Sequence, residues 1–283
     1  MKRIVCENQL GETIEFQYDG DPFRLSETDG FAAAEYTVNT SQNSGQDGET
    51  YNGAVANKRN LIITIEIDSD YQVQRNKLYS FFQPRSEGTV YYYEDGAPGC
   101  RSDYYVEKIE IDESGAVRSG SISLICPDPK WYALEDQLTQ LAVWRGGITF
   151  PLRIHPPFTV TEKVNTLIGN VHNDSAVPMG LTVKFTASGE VVNPSLYDVN
   201  RYELMQINTT MHAGDKIVIT TGDGNKRVKL ISGGVTSNIN NLMAYPPKWL
   251  KAYQGDNLFR YNADSGIDSL SVSILSTQAY WGA

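Results

Sequence analysis

The stretch Ser121–Tyr132, SISLICPDPKWY, decides how the chain is divided. Within it, Ile122–Cys126 has the alternation of apolar and polar residues that predicts a half-buried strand. Pro127 and Pro129 then end that strand, because proline donates no hydrogen bond to a β ladder. Trp131 follows at once, so a large ring stands where the chain leaves the strand. We therefore predict a domain seam at Pro127, Pro129 and Trp131.

Length and charge bound the possible functions. The chain has 283 residues and 40% hydrophobic residues, which is enough for two domains with cores of their own. Its formal net charge of -10 repels phosphate as a whole, which excludes gripping nucleic acid or anionic lipid by bulk charge. The segment Met1–Glu7 lacks the apolar core of a signal peptide, so we expect synthesis in the cytoplasm. The 3 widely spaced cysteines predict reduced thiols.

The first half of the chain predicts strands around one helix. Tyr36–Asn57 is rich in Asn, Ser, Gly, Gln and Thr, which predicts either a long polar loop or two edge strands joined by one. Leu61–Ile67 follows with alternating apolar residues and predicts a strand. Asp70 then offers a helix cap before Tyr71–Phe82, whose apolar residues share one helical face, and Pro84 closes that segment.

The second half predicts a β-sandwich after a linker. Leu134–Val143 has leucines spaced as on one face of a short helix. Ile217–Thr220 and Arg227–Ile231 flank a Gly-Asp-Gly-Asn turn, which predicts a hairpin. Short strands separated by turn residues predict a two-sheet sandwich or jelly roll. The sequence thus predicts an all-β protein with one main helix, comprising an N-terminal domain over 1–133, a linker over 134–147 and a C-terminal sandwich over 148–283.

The residues that carry chemistry are sparse. The three histidines, His155, His172 and His212, lack the spacing of metal ligands, and we predict no catalytic, cofactor-binding or metal residues. One alternative remains for the C-terminal domain, which is a carbohydrate-binding module that stacks a sugar on aromatic rings. The rings that would do so are Tyr245, Trp249 and Tyr253. An enzyme such as a cell-wall hydrolase is a third hypothesis, because a pair of catalytic carboxylates meets only in the fold.

The order of several motifs resembles the distal tail protein (Dit) family of long-tailed, siphovirus-type bacteriophages. An Arg-Asn pair leads into an apolar strand, a helix carries Leu with paired aromatics, and the first domain closes on Cys-Pro-Asp-Pro. Further along, a Gly-x-x-x-Asn-Pro turn, an Ala-Gly-Asp step and a Gly-x-Asn step each precede or follow a strand. The matching segments are Lys58–Ile63, Lys77–Phe82, Cys126–Trp131, Gly189–Pro194, Met211–Ile219 and Gly255–Tyr261.

This resemblance implies a structural role in a phage, prophage or tailocin. It implies a homo-hexameric ring of N-terminal β-sandwich or split-barrel domains, placed at the tail tip or baseplate between the tail tube protein and the tip or hub protein. It also implies a galectin-like C-terminal sandwich outside the ring, and in some relatives an attachment to receptor-binding proteins. DNA would only pass through the channel, with no specific binding and no membrane insertion.

A ring requires complementary surfaces between neighbouring copies. The polar segment can order against the next subunit, and tyrosine supplies contact area in such interfaces. We therefore predict Tyr51, Asn57 and Arg59 as ring-interface residues.

Overall fold

The computed structural model describes residues 2–45, 47–112, 118–146, 161–165 and 168–283. They fall into two compact units. The first unit comprises Met1–Leu134 together with Ala279–Ala283, and the second comprises Glu135–Gln278. No helix of the described residues is long and apolar enough to cross a membrane.

The first unit is built mainly of strands. Its elements before Leu134 are β1 (Lys2–Asn8), β2 (Thr13–Gln17), β3 (Phe23–Asp29), β4 (Tyr36–Ser41), β5 (Thr50–Ala56), β6 (Arg59–Ile67), α1 (Tyr71–Phe81), β7 (Glu87–Glu94), β8 (Cys100–Ile111), β9 (Ser119–Cys126) and β10 (Trp131–Ala133).

Seven of these strands close into a barrel. The order β8-β7-β1-β2-β3-β6-β9 returns to its start because β8 also pairs with β9, from Tyr105 opposite Ile125 to Ile111 opposite Gly120. Strand β8 pairs with β7 through its first half and with β9 through its second, so one long strand serves both neighbours. Closure removes the unpaired edges that an open sheet would expose.

Alternation along β6 and β9 fills the barrel core. Every second residue of β6, from Arg59 to Ile67, is buried, and Ile122, Leu124 and Cys126 of β9 face the same core. The predicted half-buried strand before the proline pair is thus confirmed. The three cysteines are free and buried, as predicted, and burial raises the pKa of Cys126 to about 11.

Helix α1 packs on this core through Tyr71, Leu78 and Phe81. Asp70 does occupy the position before the helix, but its side chain makes no capping hydrogen bond, which corrects the predicted cap. Its backbone is left-handed, with φ 44°, and its carbonyl accepts from the amide of Gln74. Packing of the apolar face, and not a side-chain cap, stabilises this helix, because a helix of 11 residues gains most of its stability from tertiary packing.

The described residues of the second unit form fifteen strands and two short 3-10 turns at Asn240–Leu242 and Ile267–Ser269. The strands are β11 (Gln137–Gln140), β12 (Ala142–Gly146), β13 (Thr161–Asn165), β14 (Ile168–Asn173), β15 (Met179–Ala187), β16 (Val191–Val192), β17 (Ser195–Asp198), β18 (Glu203–Gln206), β19 (Thr210–Met211), β20 (Lys216–Thr220), β21 (Arg227–Ser232), β22 (Val235–Asn238), β23 (Lys251–Ala252), β24 (Gly255–Asn262) and β25 (Leu270–Ser276).

Two sheets form the sandwich that the sequence predicts. One has the order β11-β25-β15-β20-β21-β22, with β23 also on β15, and the other has the order β14-β24-β17-β18. Buried residues of both sheets, such as Phe185 and Phe259, belong to one core. The hairpin expected around the Gly-Asp-Gly-Asn turn is confirmed as β20 and β21.

The region between the two halves differs from the expectation. Leu134–Val143 is not a helix, because Gln137–Gln140 pairs with β25 as a strand, which leaves Leu138 exposed while Leu141 is buried in the core of the second unit. The interval predicted as linker therefore holds β11 and β12, both within the second unit. The end of the chain also returns to the first unit, where β26 (Ala279–Tyr280) pairs with β10.

Candidate assembly surface

Strands β4 and β5 form a two-stranded antiparallel hairpin apart from the barrel sheet, and we call residues 36–56 the arm. This resolves the two readings of Tyr36–Asn57 in favour of paired strands. Every residue of β4 is exposed, and most of β5 is too. A lone two-stranded hairpin is at best marginally stable in water, so an exposed arm indicates a surface that a partner covers.

The register of the arm places five of its six apolar residues on one face, which we call the apolar face, whereas Val55 points to the other side. Tyr36 lies opposite Ala56, and Val38 lies opposite Ala54, so these four side chains point the same way. A bulge after Asn39 shifts the register and places Tyr51 opposite Thr40, which puts Tyr51 on that same face. Val38 is 55% exposed and Tyr51 is 66% exposed. Exposed apolar residues grouped in this way mark an interaction site.

Arg59 anchors the base of the arm from inside the unit. Its guanidinium donates to the carbonyl oxygens of Gly30 and Ala32 at 2.5 Å, of Pro129 at 2.8 and 3.0 Å, and of Trp281 at 2.6 Å. These bonds employ all five N–H groups of the side chain. Burial lowers the pKa of Arg59 from its ordinary value, yet the group is fixed among carbonyl dipoles that favour its charge.

This placement corrects the prediction that Arg59 is a ring-interface residue. Its side chain is only 5% exposed, and its guanidinium lies 5.6 Å from the ring centre of Trp131. The residue joins the chain before the arm, the segment after β9 and the C-terminal tail. The Arg59 side chain therefore holds these three segments of the first unit together, and its buried guanidinium is not available to another subunit.

The other predicted residues lie as follows. Tyr51 lies on the apolar face of the arm, and Asn57 stands at the arm's base, where its Oδ1 accepts from the hydroxyl of Thr37 at 2.9 Å. Their role in an interface stays a prediction. Trp131 is fully buried and stacks on Phe31 at 5.6 Å, four residues before the second unit begins.

The remaining predicted residues are two prolines of the seam and the three aromatic rings of the carbohydrate-binding alternative, and they differ in exposure. Pro127 is exposed and Pro129 is half-buried. Tyr245 is 94% exposed, whereas Trp249 packs against the sandwich core and Tyr253 lies under the guanidinium of Arg201 at 3.8 Å. Of these three rings, only that of Tyr245 is left wholly open to a ligand.

Sequence reasoning missed the part played by the C-terminal tail. Trp281 accepts through its carbonyl from Arg59 and from the amide of Ala34, and its ring meets that of Tyr36 edge-on at 5.5 Å. Ala283 donates to the carbonyl of Phe31. The only signal in the sequence is the aromatic pair Tyr280-Trp281 after the last alternating strand.

An exposed polar cluster around His172 lies on the second unit and joins β14 to β24. His172 contacts Asp256 at 2.6 Å through Nδ1 and Asp174 at 3.0 Å through Nε2. These hydrogen bonds, that of Asp256 first, raise the pKa of His172 from its ordinary value. The pKa of Asp256 is lowered by the hydrogen bond from Asn170 and then by His172. The cluster is exposed, and across the described part of the chain no group of three His, Cys, Asp or Glu is arranged to hold a metal ion.

Known phage tail proteins resemble this chain in sequence over part of its length and in fold over nearly all of it. Residues 10–126 match a family model described as the phage tail protein RIFT-related domain. No curated protein matches the chain. Among solved structures, SPP1 Dit (gp 19.1), described as a paradigm of the hub adsorption apparatus in phages infecting Gram-positive bacteria, matches with a TM-score of 0.68 at 10% identity over 98% of both chains.

Two structures of the phage P2 baseplate in its activated conformation also match. The one with Ca has a TM-score of 0.54 at 11% identity and covers 100% of this chain and 99% of the other. The one with Sr has the same TM-score and identity and covers 100% of both chains. At such identities the likeness concerns the fold. Residues 10–126 thus match a phage tail protein domain, and the whole chain shares the fold of the SPP1 Dit and phage P2 baseplate proteins, in agreement with the resemblance to the distal tail protein family.

Proposed function

We propose that this protein forms a homo-hexameric ring at the tail tip or baseplate, between the tail tube protein and the tip or hub protein. Its role there is structural, and no bond is made or broken by it. The observation that carries the proposal is the arm, a hairpin apart from the barrel sheet whose apolar face exposes Val38 and Tyr51. The neighbouring subunit would cover that face.

The geometry of a ring suits such an arm. A closed ring uses a heterologous interface, in which one patch of each copy meets a different patch of the next. An arm rooted on a rigid base can deliver one patch across the boundary between copies. Here the root is fixed by Arg59 and by the tail residue Trp281, so the arm's direction is set by the first unit itself.

The charge of the protein agrees with a passage for DNA. With a formal net charge of -10, the ring would repel phosphate and let DNA slide without sticking. Partners under this proposal are further copies of the chain, the tail tube protein, the hub protein and, as in some relatives, receptor-binding proteins.

The alternative of sugar binding at Tyr245, Trp249 and Tyr253 gains no support from the placement of these rings. A sugar-stacking platform needs open ring faces, and two of the three are engaged within the unit. We therefore keep the structural role as the conclusion.

The proposal is tested by changing one face of the arm at a time. Val38→Lys combined with Tyr51→Lys places two charges on the apolar face, and we expect monomers by light scattering together with an unfolding midpoint close to that of the wild type. Exposed substitutions of this kind usually change stability by about 0.5 kcal/mol or less.

The matched control is Val55→Lys on the opposite face of the same hairpin, where Val55 is 62% exposed and pairs with Thr37. This variant should keep the oligomer. Loss of the oligomer in both variants, or in neither, contradicts the assignment of the apolar face.

A further inference from the structure

The outer surface of the larger sandwich sheet is basic. Lys184 on β15 lies directly opposite Val218 on β20, which lies opposite Lys229 on β21. Lys216 precedes Val218 by two residues, and Arg227 precedes Lys229 by two, so both point to the same side as these three. All four cations are exposed. We call this surface of β15, β20 and β21 the basic face.

The basic face contains no carboxylate. Each of its residues on the three strands is Lys, Arg, Thr, Val, Ile or Gly, because the buried residues alternate onto the other side. This is unexpected in a chain with 34 acidic and 24 basic residues. Chance alone would have placed Asp or Glu among these positions more often than Lys or Arg.

The cations of this face form no ion pair with any described residue. Two carboxylates lie nearby in sequence, and both are engaged elsewhere. Asp215 is buried and accepts from the amide of His212 at 2.8 Å, while Asp223 binds the ammonium of Lys251 at 2.8 Å. Within the described part of the chain, ion pairs therefore leave the positive charge of the face uncompensated.

The spacing brings like charges near one another. Diagonal neighbours on paired strands lie about 7–8 Å apart, which applies to Lys184 with Lys216 and to Lys216 with Lys229. Such distances are within the Debye length of about 8 Å at physiological salt, so the charges repel one another. A polyanion laid across the strands would relieve the repulsion at several sites together.

The residue types on the basic face favour some kinds of polyanion over others. Lysine is depleted in protein–protein interfaces, where aromatic residues and arginine dominate, and three of the four cations are lysines. Single-stranded nucleic acid is held by stacking on aromatic rings, and the face has none. A DNA duplex is stiff and extends beyond the patch, where it would meet the acidic remainder of the surface.

We propose that the basic face binds a flexible phosphodiester polymer, in which phosphate groups alternate with small polyols or sugars. The ammonium groups would pair with phosphate oxygens, and the hydroxyls of Thr182 and Thr186, which lie between the charges, would donate to phosphate or accept from the polyol. The hydroxyl of Thr220 already donates to the carbonyl of Asn225, so it would only accept. A flexible chain can follow the four cations while avoiding the acidic surroundings. This site is separate from the arm and does not depend on ring formation.

The test uses the full chain and a synthetic poly(glycerol phosphate) oligomer carrying a fluorophore, with binding followed by anisotropy at several salt concentrations. We compare the wild type with the triple variant Lys184→Gln, Lys216→Gln, Lys229→Gln. The proposal predicts a loss of affinity of about tenfold or more. It also predicts that the slope of log K against log salt falls by about two, since each contact contributes about 0.7.

A matched control removes three lysines elsewhere: Lys2→Gln, Lys108→Gln and Lys248→Gln. The last two of these are ion-paired with Glu110 and Glu203. It changes the net charge equally and should bind almost as the wild type does. Equal losses in the two triple variants, absence of binding by the wild type, or equally tight binding of double-stranded DNA would each overturn the proposal. Thermal unfolding checks that the basic-face variant is still folded. Its melting temperature should equal or slightly exceed that of the wild type, because the repulsion between the lysines is removed.

Discussion

Arg59 shows how one buried side chain can organise a surface that it does not itself reach. Its five donors bind four carbonyl oxygens from three separate stretches of chain, and its side chain covers the ring of Trp131. A motif in the sequence indicated that Arg59 matters, but it could not indicate in which direction the side chain points. That depends on the return of Trp281, which is distant in sequence by more than two hundred residues.

A substitution at Arg59 should therefore act on stability. Arg59→Ala removes the charge and leaves buried carbonyls without donors, and we expect the free energy of unfolding of the first unit to fall by about 3 kcal/mol. Arg59→Lys should recover only part of this, because lysine has three donors and no planar fork. Chemical denaturation measures the difference. Arg118→Ala, which removes an exposed guanidinium over Tyr71, is the control and should cost about 1 kcal/mol or less. A stable, monomeric Arg59→Glu protein would contradict this account and restore the residue to the interface.

The cluster around His172 predicts a pH dependence with a definite sign. Because its pKa is raised above the ordinary value of 6.5, protonated His172 stabilises the fold below that pH, and the contribution is lost as pH rises through the folded pKa. The pKa values of Asp174 and Asp256 are lowered from 3.8, so their part is lost as the pH falls through those lowered values. His172→Gln should therefore melt below the wild type near pH 5 and together with it at pH 9. A difference that is the same at both pH values would argue against the cluster's titration.

At the scale of elements, local apolar patterns predict some strands and the helix correctly, but they do not predict elements whose partners lie far along the chain. The alternation of β6 and β9 and the apolar stripe of α1 are local, so the sequence predicts them correctly. Leu134–Val143 has helical spacing, yet its partner β25 lies far along the chain and imposes a strand. Tyr51 joins the arm's apolar face only through the bulge after Asn39, which puts Tyr51 on the same side as Val38.

The chain that leads to the arm passes close to β6 at Gly30. This residue has φ +80°, and a Cβ there would collide with the carbonyl oxygen of Asn60. Gly30→Ala should lower the free energy of unfolding by about 2 kcal/mol or more, through left-handed strain and the clash together. Gly45→Ala has nearly the same φ, +83°, but open space around it, so it isolates the strain and should cost about 1 kcal/mol. Equal effects of the two substitutions in denaturation curves would show that the contact with Asn60 is unimportant.

On the scale of the whole molecule, the last five residues belong to the first unit although the second unit precedes them in the chain. They supply β26 to β10 and the carbonyl of Trp281 to Arg59 and Ala34. Apart from the aromatic pair Tyr280-Trp281, no pattern in the sequence indicates this return, because a two-residue strand carries no periodicity. It makes the integrity of the arm's base depend on the far end of the chain.

Removing residues 279–283 should consequently weaken the first unit and spare the second. We expect the amide of Ala34 to lose protection from hydrogen exchange, while amides of β15 in the sandwich keep theirs. Trp281→Ala, which retains the backbone carbonyl, should have a smaller effect at Ala34. Unchanged protection of Ala34 in the truncated chain would show that the tail does not stabilise the arm's base.

The central claim is that identical copies close into a ring by covering the apolar face of each arm. Cryo-electron microscopy of the full chain, alone and mixed with the tail tube and hub proteins, tests it most directly. The account predicts sixfold rings in which Val38 and Tyr51 of every arm lie against the neighbouring copy. Solitary particles under all these conditions, or rings in which those two side chains face solvent, would contradict it.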